Sequence, residues 1–398
     1  MTPGVSLFAN LGAEEGARWR KSASDPRVEQ AARLWTTLFS RTSRRIDSGH
    51  RPTWPSSLGP RRPGPAFPWL ADGDAAVPWL CTEEAQEQAA AEGLALHGAS
   101  PKLTRLVHDK AFSQRIAASE NLCPQTLRNC IATLAPEDFR DLPTARTRLQ
   151  EVCAGWPAWA RSRFTLKPRL GSSGRGRLAG RDGVLDPLDL EGALRRFRDC
   201  GGGILEPWLD RTRDLSAELY VNKSGPPLLL GTVEQQLSPA GLYRGHRGWV
   251  DSRGRVFSGL DADEEVREAA AILANAARRE GYHGPAGLDA FLFRPPESAD
   301  SSPREILRPV VEFNARFTMG IVVLGIVRAA IERIRVSQAL HPEVRLAFFF
   351  SLDEPSGGWD DGAVSARPGT HWFPLWQEGD EAHPGLVIGE AAKHLSAT

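Results

Sequence analysis

Residues 164–177 read FTLKPRLGSSGRGR, a strand-like run through Lys167 that opens directly into a loop rich in glycine. Glycine permits backbone conformations that other residues avoid, so such a loop can turn several amides, with serine hydroxyls, toward one phosphate. The spacing is neither GxxxxGK[ST] nor GxGxxG, and a glycine-rich surface turn is the alternative when the stretch is taken alone. The residues assigned to phosphate contact are Gly171, Ser172, Ser173, Gly174 and Gly176.

A second stretch, VVEFNARFTMG at 310–320, carries Glu312 and Asn314 two residues apart in an apolar strand. Side chains at this spacing share one face of a strand. A carboxylate and an amide oxygen side by side suit magnesium, which keeps several waters and bridges substrate phosphates. Upstream, GLDAFLFR places Asp289 in another apolar strand, and the Pro- and Ser-rich stretch 295–303 would let the two strands pair as a hairpin.

These motifs together resemble the ATP-grasp enzymes. The resemblance covers residues 99–334, and each motif alone is weak. Six of them nevertheless occur in the family's order: Lys110, Lys167, the glycine loop, ILEPWL at 204–209, Asp289 and the Glu312-x-Asn314 pair.

The resemblance implies an α/β and α+β fold, with a Rossmann-like pre-ATP-grasp domain at 1–100. Short strand patterns at 5–9, 76–80 and 94–97, with a helix between Thr82 and Gly93, agree with that domain. An ATP-grasp small subdomain with the glycine loop follows at 101–203. The large subdomain with the metal site and the C-terminal tail occupies 204–398.

In the family, lysines at the positions of Lys110 and Lys167 reach the nucleotide phosphates. Leu205 and Leu209 would then enclose adenine, and backbone groups from Glu206 to Trp208 would bind its edge. Asp214 or Glu218 would accept from the ribose hydroxyls, with Asp214 preferred by position. The alternatives are a surface lysine at 110 and an edge strand with ordinary acids at 210–221.

Lysine is scarce in this chain, which sharpens the assignment of Lys110 and Lys167. Of the 49 basic residues only six are lysine, so arginine supplies the ordinary surface cations. A lysine here is therefore more often needed as a lysine, and two of the six fall at the nucleotide positions.

The resemblance implies a carboxylate-amine ligase that uses ATP and Mg²⁺, with Mn²⁺ as an alternative metal. The substrate carboxylate becomes an acylphosphate, an amine attacks it, and ADP and phosphate leave. Lys167 and Arg316 are the candidate catalytic residues, and Arg316 or the GLYRGHRG stretch at 241–248, with Arg244 and Arg247, would bind the carboxylate. D-Alanyl-alanine ligases carry arginine where this chain has Gly287, which puts that activity in doubt. A small-molecule kinase and a non-catalytic nucleotide-binding protein remain alternatives.

Composition excludes several other classes. The 398 residues carry a formal net charge of zero, which argues against nucleic acid or an anionic membrane as partner. The apolar run 319–327 is followed by charges and predicts a core helix rather than a membrane span. Five scattered cysteines and the absence of a signal-like N-terminus favour the cytoplasm. The expected partners are small-molecule carboxylate and amine substrates, with a homodimer left open.

Overall fold

The computed structural model divides the chain into two compact units, which are described separately. Unit 1 comprises Met1–Val107, Leu215–Leu288 and Asn314–Thr398, and unit 2 comprises His108–Asp214 and Asp289–Phe313. The three-domain division made from the sequence stays a prediction. The structure describes residues 5–14, 25–39, 43–47, 54–59, 66–67, 69–70, 75–171, 176–238, 241–294, 305–338, 340–353, 369–375, 383–389 and 392–393.

The N-terminal part of unit 1 contains a four-stranded parallel sheet in the order β2-β1-β3-β4. Its second helix begins as predicted, because the Thr82 hydroxyl accepts from the Ala85 amide as an N-cap. Parallel strands joined by helices are what the sequence predicted here, while the Rossmann-like assignment itself stays a prediction. The elements are β1 (Ser6–Phe8), α1 (Pro26–Thr36), β2 (Arg44–Arg45), β3 (Ala75–Pro78), α2 (Glu83–Ala91) and β4 (Ala95–Leu96).

A nine-stranded sheet follows in the order β15-β14-β10-β11-β13-β12-β16-β18-β17. β14 and β15 are neighbours, which confirms the pairing predicted for the two candidate metal strands, whereas the connecting stretch 295–303 lies outside the described residues. β10 is an interior strand, so the edge-strand alternative is wrong. β10, β14 and β15 carry residues of both units. The strands are β10 (Asp210–Val221), β11 (Leu228–Leu237), β12 (Tyr243–Asp251), β13 (Val256–Phe257), β14 (Gly284–Arg294), β15 (Ile306–Asn314), β16 (Arg345–Ser351), β17 (His371–Pro374) and β18 (Gly385–Ile388).

Two long helices belong to unit 1, α8 (Asp263–Arg279) and α9 (Met319–Ser337). The first half of α9 is almost wholly buried in the main apolar core of the unit, as predicted for the run 319–327. Its N-cap is Thr318, whose hydroxyl accepts from the Ile321 amide. Within the described ranges, no helix is long and apolar enough to cross a membrane.

Unit 2 contains a five-stranded antiparallel sheet in the order β5-β9-β6-β7-β8. One face packs on an apolar cluster that includes Phe139, Phe164, Leu166 and Leu205. The helix α3 (Pro101–His108) ends the first segment of unit 1, with only His108 counted in unit 2. The elements that follow in unit 2 are α4 (Lys110–Ser119), β5 (Ala132–Leu134), α5 (Leu142–Ala154), α6 (Ala158–Ser162), β6 (Phe164–Pro168), β7 (Leu178–Arg181), β8 (Val184–Leu185), α7 (Pro187–Asp199) and β9 (Gly203–Pro207).

The stretch 241–248 is rich in glycine, as loops often are, yet β12 begins within it at Tyr243. Its glycines are required by close approach of the neighbouring strands. A Cβ on Gly245 would lie 2.1 Å from the Phe350 carbonyl oxygen, and one on Gly248 would lie 2.7 Å from the Phe257 oxygen. A glycine-rich composition that is typical of turns therefore belongs here to a strand that packs closely against its neighbours.

Two acids, Asp186 and Asp189, lie at the start of helix α7, which begins at Pro187. Asp186, and not Asp189, is the N-cap, and its carboxylate accepts from the Leu188 amide. Asp189 lies in the first turn instead, where its charge still favours the helix dipole.

Candidate nucleotide site

The glycine loop of unit 2 is described at its two ends, Gly171 and Gly176, while Ser172, Ser173 and Gly174 lie outside the described residues. Gly171 has φ 146° and Gly176 has φ 74°, a region of backbone space that side chains disfavour. Glycine is therefore needed at both ends of the loop, as its composition predicted.

Lys110 is the first residue of α4, and it joins the loop to the candidate metal strand. Its Nζ donates to the Gly171 carbonyl oxygen at 2.7 Å and lies 3.1 Å from Glu312 Oε2. Its backbone amide donates to the Arg169 carbonyl, and Arg169 forms an ion pair with the helix cap Asp109. Lys110 is thus buried in polar surroundings, which argues against the alternative of a surface lysine.

Lys167 forms an ion pair with Glu206, and strand register explains why. In the antiparallel β6–β9 pair, Leu166 lies opposite Leu205, whereas Lys167 lies opposite Ile204. Alternation then puts Lys167 and Glu206 on the face opposite to the apolar cluster, where diagonal neighbours are within reach of long side chains. The Lys167 side chain is 14% exposed, so it leaves the core but stays largely dehydrated.

Glu206 has a second partner that the sequence reasoning missed, Arg308 on β15. Arg308 Nη2 donates to Glu206 Oε2 at 2.8 Å, and both side chains are almost fully buried. Burial would raise the pKa of the Glu206 carboxyl, but the Arg308 and Lys167 charges outweigh it and hold this pKa at about 2. The signal was present in the sequence, because Arg308 precedes Glu312 by four residues in one strand and so shares its face.

Two further arginines act on this centre. Burial lowers the pKa of the Lys167 ammonium, and the Arg308 and Arg211 charges add to that effect against the opposite effect of Glu206. Burial and the Arg211 charge also lower the pKa of Arg177, whose guanidinium lies 4.4 Å from the centre of the Trp208 ring. We call Lys167, Arg177, Arg211 and Arg308 the cation cluster.

Four cationic groups lie near the buried carboxylate of Glu206, and Asp214 and Glu312 add two further carboxylates beside Arg211 and Lys167. The basic groups still outnumber these acids. Burial makes such an excess unfavourable unless an anion compensates it. A polyphosphate would supply that anion, with charge-assisted hydrogen bonds from guanidinium and ammonium groups. The electrostatics of unit 2 therefore suit a nucleotide triphosphate.

The predicted adenine residues are only partly brought together. Leu205 packs in the core behind the sheet, whereas Leu209 packs in a separate cluster with Phe291 and Phe293. The structure therefore does not place the two leucines on one ring, and Ile204 is the residue that shares a face with Lys167. Trp208 follows β9 directly and stacks on Arg177 as described above.

The two acids proposed for the ribose have different surroundings. Asp214 accepts from Arg211 Nη1 at 3.0 Å in unit 2. Glu218 is 1% exposed and belongs to unit 1. The choice of Asp214 over Glu218 therefore agrees with the position of Asp214 beside the cation cluster, through Arg211.

The donor set of Asp289 and Glu312 fits magnesium. Both acids lie in unit 2 on the neighbouring strands β14 and β15, and both are partly exposed. Asn314 ends β15 and is counted in unit 1. In the part of the chain that the structure describes, no three His, Cys, Asp or Glu side chains converge as a metal site. The two carboxylates of unit 2 would leave positions for water and phosphate, as magnesium sites usually do.

Arg316, the candidate for the substrate carboxylate, already has several partners within unit 1. Its Nε lies 3.2 Å from Glu14 Oε1, and its two terminal nitrogens donate to the Asn314 side chain and the Phe317 carbonyl. Its side chain is only 11% exposed. Its acidic partner within unit 1 is Glu14.

The two arginines of the 241–248 stretch are also ion-paired within unit 1. Arg247 donates to both oxygens of Glu234, at 2.9 and 2.7 Å, and Arg244 donates to Asp353 at 3.0 Å. Neither arginine is an unpaired cation that is positioned to receive an anionic substrate. Their side chains fix strand β12 to its neighbours.

Glu218 on β10 is a buried carboxyl that the sequence reasoning treated only as a ribose contact. It accepts from the hydroxyls of Ser216 and Thr318, the cap of α9. A Cβ on Gly287 would lie 2.9 Å from its Oε2, and one on Gly320 would lie 1.9 Å from its Oε1. Gly287 therefore has no room for the arginine found in D-alanyl-alanine ligases.

Burial raises the pKa of Glu218 to about 7, although the two hydroxyls and the Arg316 charge act against this. Because the folded-state pKa is raised, the folded protein binds a proton that the unfolded chain has lost, and this stabilisation disappears as the pH rises toward 7.

We expect Glu218→Gln to melt higher than the wild type at about pH 8, with the difference shrinking toward about pH 5. The difference in unfolding free energy should approach 3 kcal/mol, about 1.4 kcal/mol per pKa unit. Melting curves at the two pH values test this, and a difference independent of pH would contradict it.

Comparisons with known proteins show that this chain shares its fold with several solved structures. No protein-family model matches the chain, and no curated protein matches its sequence. Among solved structures, N5-carboxyaminoimidazole synthase of Aspergillus clavatus is 14% identical, with a TM-score of 0.50 over 98% of this chain and 94% of that one. The biotin carboxylase domain of Hydrogenobacter thermophilus 2-oxoglutarate carboxylase is 16% identical, with a TM-score of 0.51 over 97% and 86%. Biotin carboxylase of Campylobacter jejuni is 16% identical, with a TM-score of 0.50 over 98% and 88%.

Proposed function

We propose that this chain, which has the ATP-grasp fold, is an ADP-forming ligase. It would join a carboxylate to an amine. The cation cluster around Glu206 is the observation that carries this proposal. It supplies the excess positive charge that a triphosphate needs, on the face of β6 that the sequence assigned to the nucleotide.

The proposal has support from what the compared proteins bind. The Aspergillus clavatus synthase is in complex with ADP, and the Hydrogenobacter thermophilus domain is in complex with MgADP and bicarbonate. Bicarbonate is a carboxylate-like anion, so an ADP-linked reaction of such a group is compatible with this fold.

In the proposed site, Lys110, Lys167 and the glycine loop hold the phosphates of ATP, and Asp214 accepts from the ribose. Backbone groups from Glu206 to Trp208, with Leu209, bind adenine. Asp289, Glu312 and Asn314 would hold magnesium, which neutralises the transferred phosphate when it is bound. The protein acts by positioning and by charge stabilisation, so no covalent nucleophile is required.

Phosphoryl transfer to the carboxylate forms an acylphosphate and releases ADP. The amine then attacks the carbonyl carbon and expels phosphate, which leaves an amide. Arg316 stabilises the carboxylate or the anionic tetrahedral intermediate through its guanidinium. Glu14, its present partner, holds it in place within unit 1.

The experiment is a screen of carboxylic acids with amino acids and other amines, read as substrate-dependent nucleotide release and by mass spectrometry of the products. We expect ADP, phosphate and an amide. A stable phosphoester would favour a small-molecule kinase instead, and AMP with pyrophosphate would contradict acylphosphate formation.

A further inference from the structure

A cavity lies wholly within unit 1 and has no part in the proposed ligase reaction. Its volume is about 290 Å³, at the lower end of the range for small-molecule sites. It lies among β11, β13, β16 and the two helices α8 and α9. Its lining combines apolar side chains, among them Leu230 and Val256, with the four arginines Arg255, Arg267, Arg328 and Arg345.

Arg328 is the most buried of these arginines, and the protein fixes its position. Its Nε donates to the Gly254 carbonyl at 3.1 Å, its Nη2 donates to the Leu230 carbonyl at 2.7 Å, and its guanidinium lies 5.0 Å from the centre of the Phe67 ring. Burial lowers the pKa of this guanidinium. Its charge is therefore held in poorly hydrated surroundings by neutral partners, where a bound anion would compensate it.

The three remaining arginines of the cavity are more open to solvent. Arg345 is exposed and lies 5.0 Å from the centre of the Phe257 ring. Arg255 pairs with Asp251 at 2.6 Å, and Arg267 lies 3.8 Å from the exposed Glu264. Four guanidinium groups thus meet two carboxylates, an excess of two positive charges across the described residues of this cavity.

We propose that this cavity binds a small organic dianion, with its charged group on the arginines and a short apolar body on Leu230 and Val256. Guanidinium groups match phosphate and carboxylate oxygens through paired donors, which favours either a phosphate monoester or a dicarboxylate. The two charges of such a ligand equal the excess on the cavity. None of the lining residues belongs to unit 2, so MgATP is not expected to compete.

The test uses the full chain, saturated with MgATP so that phosphate-bearing probes are kept from the nucleotide residues. Calorimetric titrations with phenyl phosphate, succinate and neutral benzyl alcohol are run on the wild type and on two variants. Arg267→Gln/Arg345→Gln removes two exposed cavity arginines, which should leave the fold intact. The matched control is Arg335→Gln, an exposed arginine that pairs with Glu332 on α9 outside the cavity.

We expect saturable binding of phenyl phosphate or succinate but not of benzyl alcohol, with affinity that falls as salt rises. The double variant should bind at least about tenfold more weakly, and Arg335→Gln should bind as the wild type does. Tighter binding of phenyl phosphate assigns a phosphate monoester, and tighter binding of succinate assigns a dicarboxylate. The proposal is overturned if neither dianion binds in a saturable way, or if the double variant binds as tightly as the control.

Discussion

Lys167→Met is expected to weaken MgATP binding by about a hundredfold, the loss of roughly 3 kcal/mol from one dehydrated charged contact. Methionine keeps the apolar stem of the side chain and removes only the ammonium. Glu206 retains Arg308 as a partner, so the melting temperature should fall far less than the affinity. Calorimetry with MgATP, together with melting curves, measures both effects.

Two further variants separate a phosphate contact from a structural one. Lys223→Ala changes an exposed lysine and should leave the affinity unchanged. Lys167→Met/Glu206→Gln also removes the carboxylate that Lys167 neutralises. If Lys167 only balances Glu206, this double variant should recover MgATP binding; if Lys167 contacts phosphate, it should not. Unchanged affinity in Lys167→Met would remove this residue from the site.

Glu312→Gln is expected to lower every ATP-consuming step by about a hundredfold or more, since a bound metal supplies several kcal/mol of charge stabilisation. The substitution takes one negative charge from the metal ligands and also releases Lys110 from its ion pair. Excess magnesium, or manganese, should restore part of the rate. Steady-state ADP release at several metal concentrations measures this, and a loss that no metal concentration changes would assign Glu312 a structural role only.

Arg316→Ala provides the contrast, because Arg316 is assigned to the carboxyl substrate. Its MgATP affinity should stay near that of the wild type while substrate-dependent turnover falls. Loss of the guanidinium also leaves Glu14 without this partner, so some loss of thermal stability is expected with it. If Arg316 were purely structural, stability would fall and turnover per folded molecule would not.

Much of the local structure around the candidate nucleotide site could be predicted because its signals are local. Lys167 is the only partly exposed residue of the otherwise buried strand β6, and Gly171 and Gly176 need conformations that only glycine adopts freely. The pairing of β14 with β15 followed from two apolar strands separated by a Pro-rich stretch. Each of these is decided by a few consecutive residues.

The remainder depends on register and on distant partners. The pairing of β6 with β9 decides whether Leu205 or Glu206 lies on the same face as Lys167. That pairing cannot be predicted from any short stretch of the sequence. The partnership of Glu206 with Arg308 joins residues 102 positions apart. Gly245 and Gly248 read as loop residues because the close strands that require glycine lie elsewhere in the chain.

The most direct test of the ligase account uses a carboxylate substrate labelled with ¹⁸O in its carboxyl group, taken from the screen and incubated with ATP, magnesium and the amine. If an acylphosphate forms, one labelled oxygen must leave with the phosphate when the amine attacks the carbonyl. Mass spectrometry should therefore find ¹⁸O in the inorganic phosphate together with ADP and the amide. Label found in AMP, or phosphate free of label, would contradict the account.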